Sequence, residues 1–161
     1  YDALTGVYNR RAHEEVLLDT FNAAKKEGTR FAVFTVDLND LKVKNDVYGH
    51  DVGDLYLTRF VDVIKQTMPK HAFLSRIGGD EFVLVISKIS LKEAEYFATK
   101  LEMAYHKQPF TYQKYRMPFR YSVGISSYPE DGTTLEKVLK SSDQRMYLHK
   151  RTQKEDRYEK H

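Results

Sequence analysis

Asp37 stands at the end of the apolar run 31–36 and is followed closely by Asn39 and Asp40. A carboxylate at the end of a buried strand points into a crevice while rigid backbone holds it, as a metal ligand or general base requires. The same three residues would also serve to cap a following helix. A second place is Gly78-Gly79-Asp80-Glu81, set between the apolar runs 72–77 and 82–86. Glycines let the backbone turn tightly and approach a phosphate closely, and adjacent carboxylates can hold a hard cation. Taken alone the segment also reads as a hairpin turn, but its apolar flanks keep its acids within reach of a core. The third place is 45–54, which contains Tyr48-Gly49-His50-Asp51-Val52-Gly53. Asn45 and Asp46 read there as loop residues, and Asp51 or Asp54 as first-turn acids favoured by a helix dipole.

Other chemistries find no support. The chain has no Gly-x-x-x-x-Gly-Lys-Ser/Thr loop, so it does not read as a P-loop nucleotidase. It has no cysteine, which excludes disulfides and thiolate metal sites. His13, His71, His106, His149 and His161 are scattered without metal-ligand spacing and read as structural or exposed, while His50 lies beside the third cluster. The serines near Gly124 and Tyr128 lack a nucleophile elbow.

These clusters need elements to hold them. Ala12, Val16, Leu17, Phe21 and Ala24 follow helical spacing, with Asn9 as N-cap and Gly28 as stop. The run 31–36 is a buried strand. A helix over 50–68 buries Val52, Leu55, Phe60, Val61 and Ile64 and ends at Pro69. The two runs around Gly78 form a hairpin. Ser90 and Glu93 make a capping box for a helix to about Lys107, and Thr133 with Glu136 repeats the device before the last helix. Between these helices 116–126 reads as one strand, and Pro129-Glu130-Asp131-Gly132 turns the chain. The central hairpin makes the sheet largely antiparallel. The fold class is α/β in the loose sense (α+β), a mainly antiparallel sheet flanked by helices.

At 161 residues the chain is expected to be one domain over 1–161, long enough for a real core at 41% hydrophobic and 13% aromatic content. The net charge of +3 is small and its signs are interspersed, which argues against nucleic acid or direct membrane contact. The basic excess of Lys150, Arg151, Lys154, Arg157 and Lys160 reads by itself as a solvated end. No stretch approaches the ~20 apolar residues of a membrane span, and the opening residues do not read as a signal peptide. Because the chain opens on Tyr1, we expect a piece of a longer protein with a sensor or dimerisation domain upstream. No apolar heptad runs long enough to hold a dimer unaided.

Together the clusters resemble the GGDEF family of diguanylate cyclases. The family signature stands here as Gly78-Gly79-Asp80-Glu81-Phe82, preceded by Arg76. The opening segment 2–11, the segment 45–54, Ser122-Val123-Gly124-Ile125-Ser126, the turn 128–132, and Asp143, Met146, Tyr147 and Lys150 match further family motifs in order. The resemblance implies a ferredoxin-like core of the nucleotide-cyclase and polymerase-palm kind. It implies condensation of two GTP molecules into cyclic di-GMP in the bacterial cytoplasm, through a transient face-to-face homodimer. Two Mg²⁺ or Mn²⁺ ions per site would be held by Asp37, Asp80 and the carbonyl of Leu38. Asp80 and Glu81 would be catalytic, helping to deprotonate the attacking hydroxyl. Asn45 and Asp54 would read guanine, with His50 beside them. Lys42, Lys150 and Lys154 would neutralise the triphosphate, and Arg76, Gly78 and Gly79 would complete the substrate contacts.

The chain departs from the family pattern in places. Asn39 and Leu41 replace an Asp and a Phe, and Gln153-Lys154-Glu155 replaces Gly-Arg-Asn. Many relatives carry an inhibitory Arg-x-x-Asp product site upstream of the loop. Pro69 and Ala72 stand in its place, so feedback through that site is not expected. The alternative class is a catalytically silent GTP-binding regulatory module, yet the signature glycines and acids are retained. A cyclic di-GMP receptor is disfavoured by Pro69 and Ala72.

Overall fold

In the computed structural model, which describes the backbone of residues 1–159 and the side chains of 1–42 and 44–154, the apolar run after Gly28 becomes the centre of the fold. Strand β1 (Phe31–Leu38) is buried along its whole length. That follows from cover on both faces, which removes any need for polar alternation. Helix α1 (Arg10–Glu27) precedes it, and α2 (Leu41–Tyr48) and α3 (His50–Thr67) lead to the hairpin of β2 (Phe73–Arg76) and β3 (Glu81–Ser87). Next come α4 (Leu91–Lys107), a small hairpin of β4 (Phe110–Tyr112) and β5 (Tyr115–Met117), β6 (Tyr121–Tyr128) and α5 (Leu135–Glu159). The main sheet has the order β2-β3-β1-β6 with antiparallel neighbours throughout. With helices crossing between β1 and β2 and between β3 and β6, this is the split βαβ order of a ferredoxin-like core.

Alternation along β1 sorts the molecule into two cores. Ala32, Phe34, Val36 and Leu38 pack with Phe60 and Ile64 of α3 and with Phe97 and Leu101 of α4. Phe31 and Val33 turn the other way, onto Leu17 and Ala24 of α1 and Val138 of α5. By the same period of two, Thr35 and Asp37 belong to the α1/α5 face. Thr35 Oγ1 accordingly lies 2.8 Å from Ser142 Oγ on α5.

The local signals hold at most ends. Asn9 Oδ1 accepts from the Ala12 amide at 2.9 Å, and Gly28 closes α1 at φ 69°, where glycine carries no Cβ penalty. Ser90 and Glu93 form both bonds of the capping box. Three expectations change. The cap of α5 is Thr134, whose Oγ1 accepts from the Lys137 amide, one residue later than Thr133. The segment 116–126 is not one strand: β5 turns back on β4, and Pro118, which has no N–H to give a ladder, separates β5 from β6. Asn45 and Asp46 lie in α2 rather than in a loop. Of the basic excess and the departures, the side chains of Glu155 and Arg157, and all of Lys160, lie outside the described residues.

The Ser-x-Gly-x-Ser stretch of β6 is explained by α5 lying directly on it. A Cβ at Gly124 would run into the Ser142 carbonyl and the Met146 amide, and Ser126 Oγ donates to the Val138 carbonyl at 2.7 Å. Neither backbone neighbour can swing aside as a side chain would. Gly124→Ala is therefore expected to cost about 1–3 kcal/mol of overpacking and to lower Tm by about 2–12 °C. Thermal melts followed by circular dichroism check this. Gly79→Ala, where an added Cβ meets nothing, is the control and should leave Tm within about 2 °C.

Candidate active site

The register of the sheet brings the first two clusters together. Asp37 pairs across β1 with Glu81 on one side and with Ser122 on the other, and the Leu38 amide donates to the Asp80 carbonyl at 2.8 Å. Asp37, Leu38, Asp80 and Glu81 thus meet at one corner of the sheet. Asp37 is 9% exposed. Its Oδ2 accepts from Lys150 Nζ at 2.8 Å, while its Oδ1 is buried without a hydrogen-bond partner. The reading of Asp37 as a helix cap does not fit, because Asp40 occupies the N-cap position of α2, at φ 64° and without a side-chain cap bond.

Negative charge is concentrated here. Partial burial, then the carboxylate of Asp37, hold Asp80 above the ordinary Asp range. Partial burial and the carboxylates of Asp143, Asp37 and Asp80 do the same for Glu81. Lys150 is raised chiefly by its hydrogen bond to Asp37, and then by the charges of Asp37, Asp80 and Glu81. A divalent cation would relieve this repulsion and satisfy the unpartnered Asp37 oxygen. Among the described residues no three acidic or imidazole groups converge to hold a metal by themselves. A cation here would therefore draw on Asp37, Asp80 and backbone oxygen.

Arg76 shapes the signature turn. Its Nη2 donates to the Gly79 carbonyl at 2.8 Å and its Nε to the Gly78 carbonyl at 3.2 Å, while Nη1 reaches the Asp2 carboxylate at 3.3 Å. Asp2 is in turn bonded by the Thr5 amide and hydroxyl, at 2.9 and 2.6 Å. The opening motif and the turn therefore share one arginine. Neither Gly78 nor Gly79 has a positive φ, so tight turning is not what asks for glycine there. The space over Gly79 is empty, and over Gly78 an added Cβ would meet only Glu81 Cβ at 3.8 Å. Both backbones are open to a close-lying anion.

The third cluster lies apart, where α2 packs on α3. A Cβ at Gly53 would collide with the Asn45 amide, so a larger residue there would force that side chain to turn away, and the buried Asn45 Oδ1 has no partner. Asp54 follows Gly53 directly, exposed to solvent, with exposed His50 one turn earlier on α3. Tyr48 of α2 meets Tyr115 of β5 with ring centroids 5.9 Å apart, bringing the small hairpin beside this cluster. Lys42 is exposed at the start of α2, and Lys154 is exposed one turn beyond Lys150 on α5. Pro69 and Ala72 form a turn, with the Ala72 amide donating to the Pro69 carbonyl at 3.1 Å. The sequence reading gave no role to the Asp2–Arg76 clamp, to Asp143, or to a bond between Asn39 and Gln153. The first two lie in matched motifs and were within reach. The third joins positions 114 residues apart and has no local signal.

A split βαβ sheet with acids gathered at one strand end, beside a hairpin turn, defines a protein of the nucleotide-cyclase palm class. Residues 1–156 match the family described as "Diguanylate cyclase, GGDEF domain". The chain belongs to the GGDEF domain family. It is 34% identical over 156 residues to the signaling protein YkoW of Bacillus subtilis, covering 96% of this chain and 19% of that one. It is also 34% identical over 147 residues to MucR of Pseudomonas aeruginosa, named a bifunctional diguanylate cyclase/cyclic di-GMP phosphodiesterase, covering 91% and 21%. The chain spans about a fifth of the length of these relatives. Among solved structures, the GGDEF domain of TpbB (YfiN) from P. aeruginosa superposes with a TM-score of 0.88 at 27% identity, covering 94% of this chain and 89% of that one. A sensory box/GGDEF family protein from Caulobacter crescentus gives 0.84 at 28%, covering 94% and 98%. No helix among the described residues is long and apolar enough to cross a membrane.

Proposed function

We propose that this domain is a diguanylate cyclase, joining two GTP molecules into cyclic di-GMP with release of two pyrophosphates. The observation that carries the reading is the corner formed by Asp37, Leu38, Asp80 and Glu81, with one Asp37 oxygen buried and unpartnered and Lys150 alongside. Asp37, Asp80 and the Leu38 carbonyl would hold two Mg²⁺ or Mn²⁺ ions. Such ions supply charge stabilisation for the entering and leaving oxygens of an in-line displacement. The 3′-hydroxyl oxygen of one GTP bonds to the α-phosphorus of the other as the bond to the β-phosphate oxygen breaks. The hydroxyl proton passes to Asp80 or Glu81, the two carboxylates that the signature turn sets beside Asp37. Lys150, Lys154 and Lys42 meet the triphosphate, with Arg76 keeping the glycine turn open to it. Incubation with GTP and Mg²⁺, followed by chromatography for cyclic di-GMP, tests the activity. GTP bound but never converted, with Mg²⁺ or Mn²⁺ present, would make the domain a silent nucleotide-binding module instead.

In the same reading, guanine lies against α2 and α3 beside the exposed Asp54. Asp54 accepts from N1–H and the exocyclic amine, and Asn45 Oδ1 takes a further donor. Adenine offers no such pair of donors. Asp54→Ala leaves those donors unpaired, so GTP affinity should fall about 5- to 150-fold, the equivalent of ~1–3 kcal/mol, with ATP binding little changed. Calorimetric titration decides it. Equal GTP affinity in wild type and Asp54→Ala would remove Asp54 from the base site.

A further inference from the structure

Two positions at which this chain departs from its family's usual pattern are hydrogen-bonded to one another. Asn39 Nδ2 donates to Gln153 Oε1 at 2.6 Å. Ser122 Oγ donates to the same Gln153 oxygen at 3.0 Å and also faces Asn39 Oδ1 at 3.3 Å. On its other side, Gln153 Nε2 donates to the Tyr121 carbonyl at 2.9 Å. In this orientation the amide oxygen faces donors and the amide nitrogen faces a carbonyl. One turn earlier on α5, His149 Nδ1 accepts from the Val123 amide at 3.0 Å, and its Nε2 rests 3.1 Å from Gln153 Nε2. Asn39 is 8% exposed and Ser122 is fully buried, so their polar atoms need these partners.

Each departure fits the other. A carboxylate at position 39 would set an acceptor against Gln153 Oε1. A glycine at 153 would strip Asn39 and Ser122 of a shared acceptor. The consequence falls on Lys150, three residues before Gln153 on the same helix, whose Nζ is 2.8 Å from Asp37 Oδ2. Lysine is a point charge on a flexible stem, so where its ammonium sits depends on how firmly its helical turn is fixed.

We propose that Gln153 is a positioning residue, matched to Asn39, that pins the turn of α5 carrying Lys150 so that its ammonium stays over Asp37. The service this gives to the triphosphate rests on the proposed function; the pinning itself does not. The test therefore starts with ligand-free protein. Reductive methylation with formaldehyde and cyanoborohydride is followed residue by residue in the mass spectrometer. Gln153→Ala should speed methylation of Lys150 about three- to tenfold, the change carried by one net hydrogen bond. Lys65, bonded instead to the Thr5 carbonyl, should keep its rate. Gln153→Met fills the same space without the hydrogen bonds and should behave like Gln153→Ala. Asn39→Ala, which leaves the Ser122 and Tyr121 bonds of Gln153, should accelerate Lys150 by no more than Gln153→Ala does, and the double variant by no more than Gln153→Ala, because both remove the Asn39–Gln153 link. Circular dichroism confirms that each variant is folded. An unchanged Lys150 rate in Gln153→Ala overturns the inference, as does a wild-type rate in Gln153→Met. Additive acceleration in the double variant overturns the matching of the pair. GTP added with Ca²⁺ to the wild type should protect Lys150. Absence of protection overturns only its role towards the nucleotide.

Discussion

Asp80→Ala is expected to lower the rate of cyclic di-GMP formation at least about a thousandfold while leaving Tm within about 2 °C. The two halves of the expectation have separate causes. Asp80 is exposed at the tip of the β2–β3 hairpin, and the contact that it gives the fold is its backbone carbonyl, taken by the Leu38 amide. Alanine keeps that carbonyl. Its carboxylate, by contrast, is raised in proton affinity by partial burial and then by the like charge of Asp37, an arrangement that a divalent cation would relieve. Removing it takes away part of the cation set and one of the two candidate bases together, and several kcal/mol of transition-state charge stabilisation corresponds to three or more decades in rate. Asp37→Asn should match this loss in rate. Its Lys150 partner is more than a third exposed and can turn to water, so the fold should survive. Purified variants are assayed with GTP and Mg²⁺ beside the wild type. Product from Asp80→Ala within tenfold of wild type would take Asp80 out of the chemistry.

How legible the molecule was follows from how far apart the determinants lie. The two apolar runs around Gly78, the run after Gly28 and the caps at Asn9 and Ser90 are local, and their elements form where local pattern places them. Helix α2 was missed because it has only eight residues, half of them polar, and no side-chain cap; packing against α3 through Gly53 gives it support that its own sequence lacks. The β4–β5 hairpin was merged with β6 because Pro118 interrupts a stretch whose residue types all suit strands. At the site, Asp37 and Asp80 could be proposed from strand-end and turn positions, but their adjacency is a matter of register. One step in the pairing of β1 with β3 would carry Asp37 to the opposite face from Glu81. The Asn39–Gln153 link depends on where α5 crosses β6, which is set by the missing Cβ of Gly124 rather than by anything near either residue.

Turnover per protomer is expected to fall about a hundredfold when a monomeric sample is diluted a hundredfold. Among the described residues there is one Asn45/Asp54 pair and one acidic corner, so one copy accommodates one GTP in the proposed reading. The product needs two guanosines, each attacking the other's α-phosphate. Two-fold symmetry solves this with one protein surface: two copies face each other, and each 3′-hydroxyl meets the opposite phosphate in line. The exposure of Gly78, Gly79 and Asp80 leaves the corner accessible to a second copy. If encounter limits the rate, tethering should remove the dependence. Fusing a parallel two-stranded coiled coil before Tyr1 raises the local concentration of the partner to the millimolar range, against micromolar in the assay. Activity should then rise by about two to three decades and become flat on dilution. The entry of any such helix at Tyr1 lies close to Asp2, whose carboxylate is held by Arg76, which in turn holds the Gly79 carbonyl. The fused helix must therefore leave Asp2 and Thr5 undisturbed, and Asp2→Ala in the fusion serves as the control for a misjoined turn. A constant rate per protomer across the dilution, in a sample shown to be monomeric by light scattering, would rule out the two-copy mechanism.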